Sequence, residues 1–292
     1  MKIKFRPIHL SKLNLIRLDQ INQVVESYQS QGYKLTLRQL YYQLVSSDII
    51  PNKLEEYNKL SKLLKEGRMA GMVDWDAIED RLRRPSKPAS WDNPAQIINS
   101  CISQYRCNRM NGQEIYLEVW VEKDALSGVL KRVTEKYGIP IVVNRGYSSV
   151  TAMFDAHERF ETAFNDEQQI KIIYIGDFDP SGQDMIRDIT DRIQEFNEYN
   201  YDFEILPIAL TWSQIQEFTP PPNPAKITDP RAKEYIRKHG PTSWEVDALR
   251  PEILNSILTS IIETNIQKEK YTEMLDLEKE HKNKLIELKK QL

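Results

Sequence analysis

Three acidic residues stand where apolar strands end. The run Tyr116-Leu117-Glu118-Val119-Trp120-Val121 closes on Glu122, and Lys171-Ile172-Ile173-Tyr174-Ile175-Gly176 closes on Asp177, with Asp179 two residues on. Side chains two apart in an extended segment point to one side, so Asp177 and Asp179 face the same way. In open parallel sheets the carboxyl ends of the strands carry ligand and metal sites. Carboxylates gathered there repel one another unless a cation sits among them. Hard oxygen donors with no nearby Cys or His favour Mg2+ or Mn2+ over zinc. An Asp-x-Asp pair alone marks a turn or a helix cap. Behind an apolar strand, with Glu122 closing a second strand of the same sheet, it predicts a metal site of Glu122, Asp177 and Asp179. Asp184, one turn into the next helix, reads as a partner of the helix dipole.

Positioning these acids requires a sheet, and the pattern supplies one. Strands are predicted over 116–121, 141–143, 171–176 and 203–210, alternating with helices over 124–137, 148–160 and 181–196. Alternation of this kind indicates βαβ units and a mostly parallel, Rossmann-like sheet, an α/β fold. The proline-rich stretch 218–230 reads as an ordered loop.

The N-terminal part is mainly helical. A first helix follows Ser11, with Leu18, Ile21, Val25 and Tyr28 at helical spacing, and stops near Gly32. Thr36 and Gln39 form a capping box for a second, which carries Leu37, Leu40, Tyr41 and Leu44 on one side. Pro51 opens a third, 52–67, with Leu54, Tyr57, Leu60 and Leu64 facing inward. Its other side presents Lys59, Lys62, Lys65 and then Arg68. Short helices followed by a β-wing at Gly71-Met72-Val73-Asp74-Trp75 fit a winged helix-turn-helix, whose Lys and Arg contact DNA phosphates. A lysine row seen alone is a solvated helix face.

The segment 84–94, with three prolines and two serines, is the best linker. The expected division is 1–84 for the winged helix, 85–110 for the linker and a helix over 94–110, 111–266 for the sheet domain with its extension, and 267–292 for a charged helical tail. In the tail Tyr271, Met274, Leu285, Leu288 and Leu292 fit a heptad seam, weakened by Glu278 and His281 at two of its positions, and a single exposed helix docking elsewhere fits at least as well.

The 292 residues carry a net charge of −3 that hides an asymmetry. Residues 1–110 hold 18 Lys and Arg against 11 Asp and Glu, and the rest hold 22 against 32. A basic N-terminal part suggests a polyanion-binding module joined to one that needs carboxylates. Two cysteines make neither a disulfide framework nor a Cys-only zinc site. No stretch resembles a signal peptide or a membrane span, so a cytoplasmic protein without membrane partners is expected.

Val-Glu-Lys-Asp-Ala-Leu at 121–126, Asn-Arg-Gly-Tyr-Ser-Ser at 144–149 and Gly-Asp-Phe-Asp-Pro-Ser-Gly at 176–182 resemble the Toprim domain. The version they resemble most is that of the topoisomerase VI A subunit and the related meiotic double-strand-break transesterase. The resemblance implies that Glu122, Asp177 and Asp179 bind catalytic Mg2+. It also implies an N-terminal winged helix with an Arg-x-x-Tyr-Tyr motif, matched by Arg38-Gln39-Leu40-Tyr41-Tyr42. The second tyrosine is the family nucleophile, so the resemblance makes Tyr42 the candidate, with Arg38 beside the reacting phosphate. It further implies a homodimer in which the tyrosine of one chain faces the metal of the other.

A Tyr hydroxyl is protonated at neutral pH and needs a base or a cation to attack phosphorus. Arg38, one turn before Tyr42, favours the phenolate. Glu122 either binds metal or shuttles the leaving-group proton. Tyr41 falls on the leucine face and reads as core, whereas Tyr42, about 100° round the helix, is freer to face a cleft.

The chain is shorter than the topoisomerase subunit, and the segment at 220–224 and the tail lack a counterpart there. No Gly-x-x-x-x-Gly-Lys-Ser/Thr loop is present, so ATP-driven strand passage would need a separate ATPase partner. Compact relatives of this kind look like proteins of mobile elements and antiphage loci. The leading expectation is Mg-dependent cleavage of double-stranded DNA by tyrosyl transesterification. Alternatives are a Toprim nuclease using water, with Tyr42 structural, and a non-catalytic DNA-binding module whose acids hold a structural cation.

Overall fold

The computed structural model describes residues 1–79, 88–144, 146–199 and 201–290. Three helices make the N-terminal part. Ser11 caps α1 (Lys12–Ser30) through its hydroxyl, which accepts the Asn14 N–H at 3.2 Å. The capping box opens α2 (Leu37–Ser46): Gln39 Oε1 accepts the Thr36 N–H at 2.9 Å and Thr36 Oγ1 accepts the Gln39 N–H at 3.3 Å. α3 (Leu54–Met69) buries Leu60, Leu63 and Leu64, whereas Leu54, expected inward, is exposed at its first turn.

The expected β-wing at 71–75 is not formed. Asp74 Oδ1 accepts the Asp76 N–H at 2.8 Å, which folds the chain into an Asx turn. Arg68 donates to the Trp75 carbonyl at 2.6 Å, with its guanidinium 4.7 Å from the Trp75 ring centroid. Isolated bridges, Lys4 to Ala70 and Leu35 to Ile78, stand in place of a ladder.

The boundary expected at residue 84 lies outside the described residues, as does Arg145 of the 144–149 motif. α4 spans Pro94–Gln104 and stops short of the predicted residue 110.

The parallel sheet is as the alternation predicted. β1 (Ile115–Val121), β2 (Ile141–Val143), β3 (Gln169–Ile175) and β4 (Phe203–Ala209) lie in the order β2-β1-β3-β4, with every neighbouring pair parallel. α5 (Asp124–Tyr137), α6 (Val150–Asn165) and α7 (Pro180–Phe196) connect them. Successive strand residues point to opposite faces. Leu117, Val119, Val121, Ile173 and Ile175 share one apolar cluster with α5, while Trp120, Ile172 and Tyr174 share another with Met153 and Phe160 of α6 and Ile189 of α7. Both faces are therefore covered, as parallel sheets require. Register decides where the acids go. Val121 pairs with both Val143 and Ile175, so β1, β2 and β3 end flush.

Beyond β4 come α8 (Trp212–Phe218), β5 (Asn223–Pro224), α9 (Ala232–His239) and β6 (Thr242–Ser243). Pairing of β5 with β6 gives the proline-rich stretch a short antiparallel ladder. A 3-10 turn (Val246–Ala248), α10 (Pro251–Asn265) and α11 (Lys268–Lys290) follow. Among the described residues, no helix is long and apolar enough to cross a membrane.

The tail is not a free coiled-coil strand. Its two polar seam positions bind the chain's own 105–109 segment, which is why α4 ends early. Arg109 donates to both Glu278 oxygens, at 3.0 and 2.8 Å, and the Tyr105 hydroxyl lies 2.6 Å from His281 Nδ1. Tyr271 is buried and donates to the Lys136 carbonyl at 2.8 Å. Leu292 lies outside the described residues.

Arg109 and Lys282 hold the Glu278 carboxyl down to about 2, against the upward push of burial. A carboxyl depressed on folding stabilises fully above its unfolded value, and that contribution is lost as pH falls through the folded value. Glu278→Gln should therefore cost about 2 kcal/mol in urea unfolding at neutral pH. The gap from wild type should narrow as pH falls from about 4 towards 2. Equal stability at neutral pH would mean that these ion pairs do not hold the tail.

Candidate functional site

The flush strand ends set the first part of the site. Glu122 leaves β1 and its Oε2 accepts the Asp177 N–H at 2.9 Å. The Asp177 carboxylate is buried: Oδ1 accepts the Val246 N–H at 2.9 Å and Oδ2 lies 2.6 Å from Lys123 Nζ. Asp179 caps α7, its Oδ1 accepting from the Gly182 N–H at 2.6 Å and the Ser181 hydroxyl at 2.9 Å. A Cβ on Gly182 would sit 2.2 Å from the Asp177 carbonyl oxygen, so this turn closes only with glycine. Asp184 faces Arg187, Arg231 and Tyr147 and stands apart from the strand-end acids.

Three further charged residues belong to the site. Phe178 and Trp244 exchange backbone hydrogen bonds of 2.9 and 3.0 Å, which lays the 244–248 segment beside Asp177 and Asp179. That segment brings Glu245 and Asp247 to Lys123, at 3.0 and 3.1 Å. Asp247 is fully enclosed, and neither of its carboxylate oxygens accepts a hydrogen bond among the described residues. Glu-x-Asp at 245–247 repeats the spacing of Asp177 and Asp179, and that is the one signal the sequence offered.

α2 closes the site from the other side. Arg38 pairs with Glu245 through Nη2 and with Asp247 through Nε at 3.1 Å. Tyr42 was expected to face a cleft. It is instead as buried as Tyr41, against the Arg38–Glu245 pair, with its hydroxyl facing Glu245 and Asn223. The Arg38 guanidinium lies 5.9 Å from its ring centroid. Tyr41 points elsewhere and donates to Asn52 Oδ1 at 2.9 Å, which fits its reading as core. Asn52 in turn donates to the Pro222 carbonyl at 2.8 Å, and Ala248 packs into the core of the N-terminal helices. These contacts bring Tyr42, Arg38, Glu245 and Asp247 together within one chain.

Electrostatics follow from this crowding. Burial alone would lower the Lys123 ammonium, yet Asp247, Asp177 and Glu245 hold it above its ordinary value. Glu245 is held down to about 2: Lys123 and Arg38 outweigh its burial. Burial pushes Glu122 up. Burial also pushes Asp177 up, to about 7, with Lys123 opposing and Glu122 and Asp247 adding. Burial and then Glu245 raise the Tyr42 hydroxyl, with Arg38 opposing.

The donor set suits a hard divalent cation in type and in charge. Glu122, Asp177, Asp179, Glu245 and Asp247 surround only Lys123 and Arg38, which leaves a formal surplus of negative charge. Among the described residues, no three His, Cys, Asp or Glu side chains are grouped to hold an ion as they stand. The physical reason is visible: Lys123 engages Asp177, and Asp179 turns one oxygen to the helix cap. Glu122, Asp177 and Asp179 are the residues that would hold such an ion.

The basic row divides. Lys59, Lys62 and Lys65 are exposed on α3, with Lys59 paired to Glu56 at 2.7 Å. Arg68 turns inward onto Trp75 and does not extend the row into solvent.

Conservative changes at the two tyrosines should separate their roles. Tyr41→Phe loses its hydrogen bond to Asn52 and should cost about 1 kcal/mol of stability. Tyr42→Phe removes a hydroxyl desolvated against Glu245, so stability should be unchanged. Chemical denaturation of both variants checks this, and an equal loss in the two would make the Tyr42 hydroxyl a structural contact as well.

No protein-family model matches the chain, and neither a curated protein nor a solved structure matches it.

Proposed function

We propose that this chain cleaves duplex DNA by tyrosyl transesterification, as a compact enzyme of the topoisomerase VI A type. In this reading the N-terminal helices are a winged-helix relative without a formed wing, and the parallel sheet is a Toprim domain. One observation carries it: the Arg38–Tyr42 turn of α2 lies against Glu245, which shares Lys123 with Asp177 at the strand ends.

The chemistry follows from those positions. The Tyr42 hydroxyl gives its proton to water and its oxygen attacks phosphorus. A phosphotyrosyl bond forms, and the bond from phosphorus to the 3′ oxygen breaks. Arg38 supports the phenolate and the crowded phosphoryl charge. The departing 3′ oxygen takes a proton from Glu122, made a weaker acid by burial, where no metal engages that carboxyl, and from water where Glu122 is a metal ligand. Mg2+ or Mn2+ held by Glu122, Asp177 and Asp179 would neutralise charge at that oxygen. Lys59, Lys62 and Lys65 offer phosphate contacts outside the site. Cutting both strands takes two copies, each with its own complete site, and strand passage driven by ATP would require a separate subunit.

The test is to incubate supercoiled plasmid with the chain and Mg2+, stop with detergent, and compare samples with and without proteinase. Transesterification leaves protein covalently on the DNA ends. Clean ends without proteinase would mean hydrolysis by water, with Tyr42 structural. Mixing Tyr42→Phe with Asp177→Asn chains should restore no cleavage, because neither variant holds a complete site. Restored nicking would mean that the tyrosine acts on the partner's acids.

A further inference from the structure

Glu245 occupies an unusual place for a carboxylate. Its Oε2 accepts from Lys123 Nζ at 3.0 Å and pairs with the Arg38 guanidinium, and the Tyr42 hydroxyl faces it. Guanidinium, ammonium and nucleophile hydroxyl are the groups that a phosphodiester meets when a tyrosine attacks it. A carboxylate and a phosphodiester carry the same unit charge and bind the same guanidinium fork.

The two acids of this segment differ in freedom. Asp247 is 0% exposed and touches both cations, at 3.1 Å from Arg38 and 3.1 Å from Lys123, so it holds them in place whatever Glu245 does. Glu245 is 23% exposed and has a way out to solvent, and Arg38 is 45% exposed and open to an incoming ligand. The backbone on either side of Glu245 is pinned, by Trp244 on Phe178 and by Val246 on Asp177. Departure of the carboxylate therefore takes only a side-chain rotation.

We propose that Arg38, Lys123 and the Tyr42 hydroxyl form a phosphodiester-binding site that Glu245 fills in the nucleic-acid-free chain, which stays latched until a backbone phosphate displaces it. The proposal rests on the reading of the chain as a DNA-cleaving enzyme, and it adds Lys123 as a phosphate contact and Glu245 as the internal competitor. Because the occupied state must open before DNA binds, apparent affinity falls by the fraction of chains that are open. Removing the competitor should raise it.

Fluorescence anisotropy of a labelled DNA duplex in EDTA reads binding without cleavage. Glu245→Gln should lower the Kd by about tenfold. Glu234→Gln removes the same charge from an exposed residue paired with Lys238 at 2.9 Å, and should stay close to wild type. Adding Lys123→Ala to Glu245→Gln should abolish the gain. If Glu245→Gln does not fold, Glu245→Asp, shorter by one methylene, should show a smaller gain of the same sign. Equal affinities for the Glu245 and Glu234 variants would overturn the latch, as would a gain that survives Lys123→Ala. Tighter binding with no covalent adduct in Mg2+ would keep the phosphate site and remove transesterification. An adduct with affinity indifferent to Glu245 would do the reverse, and a chain that binds no duplex in any form would overturn both.

Discussion

Arg38 ties α2 to the edge of the sheet through Glu245 and Asp247, the two acids that Lys123 also engages. The Lys123 ammonium lies within 3.1 Å of Asp177, Glu245 and Asp247, and Arg38 reaches the last two from α2. Charges withdrawn from water cost several kcal/mol each, and attraction within the cluster repays that only when geometry is good. Such a network is therefore weak evidence for stability but strong evidence for position. Removing Lys123 would leave the buried Asp177 carboxylate without its cation, whereas Asp247 would keep Arg38. The sheet register, the cap at Asp179 and the bridge from Phe178 to Trp244 all serve to bring these charges to one edge.

Much of the frame was legible because local chemistry and burial agree there. Ser11, Thr36 and Gln39 cap the helices they were expected to cap, and the apolar runs ending at Val121 and Ile175 pair in the register that gathers Glu122 and Asp177. The wing was not legible as a turn, because an Asx bond from Asp74 and the Arg68 contact to Trp75 decide it rather than strand propensity. The tail left a seam and a docked helix both open for a similar reason. Glu278 and His281 look like defects in a seam until Arg109 and Tyr105 arrive from far away in sequence.

The site was half legible. Glu122, Asp177 and Asp179 announce themselves at strand ends. Lys123 does not, since a period of two places it opposite Glu122. The period fails because the chain leaves β1 at Val121 and Lys123 becomes the residue before α5. Glu245 and Asp247 follow a proline-rich stretch with no strand-end signal, and only the Phe178 bridge brings them in. The tyrosines show the same limit. Helical geometry separates Tyr41 from Tyr42, but which of them meets the acids depends on the 244–248 segment.

The proposed function makes one claim central: among the 14 tyrosines of the chain, Tyr42, set against Arg38 and Glu245, is the one that attacks phosphorus. Mass mapping of peptides from detergent-trapped, nuclease-digested protein tests it most directly. The account predicts a residual nucleotide on the peptide containing Tyr41 and Tyr42, with fragmentation placing it on Tyr42. A nucleotide on any other residue, or DNA cleaved with no modified peptide at all, would contradict it.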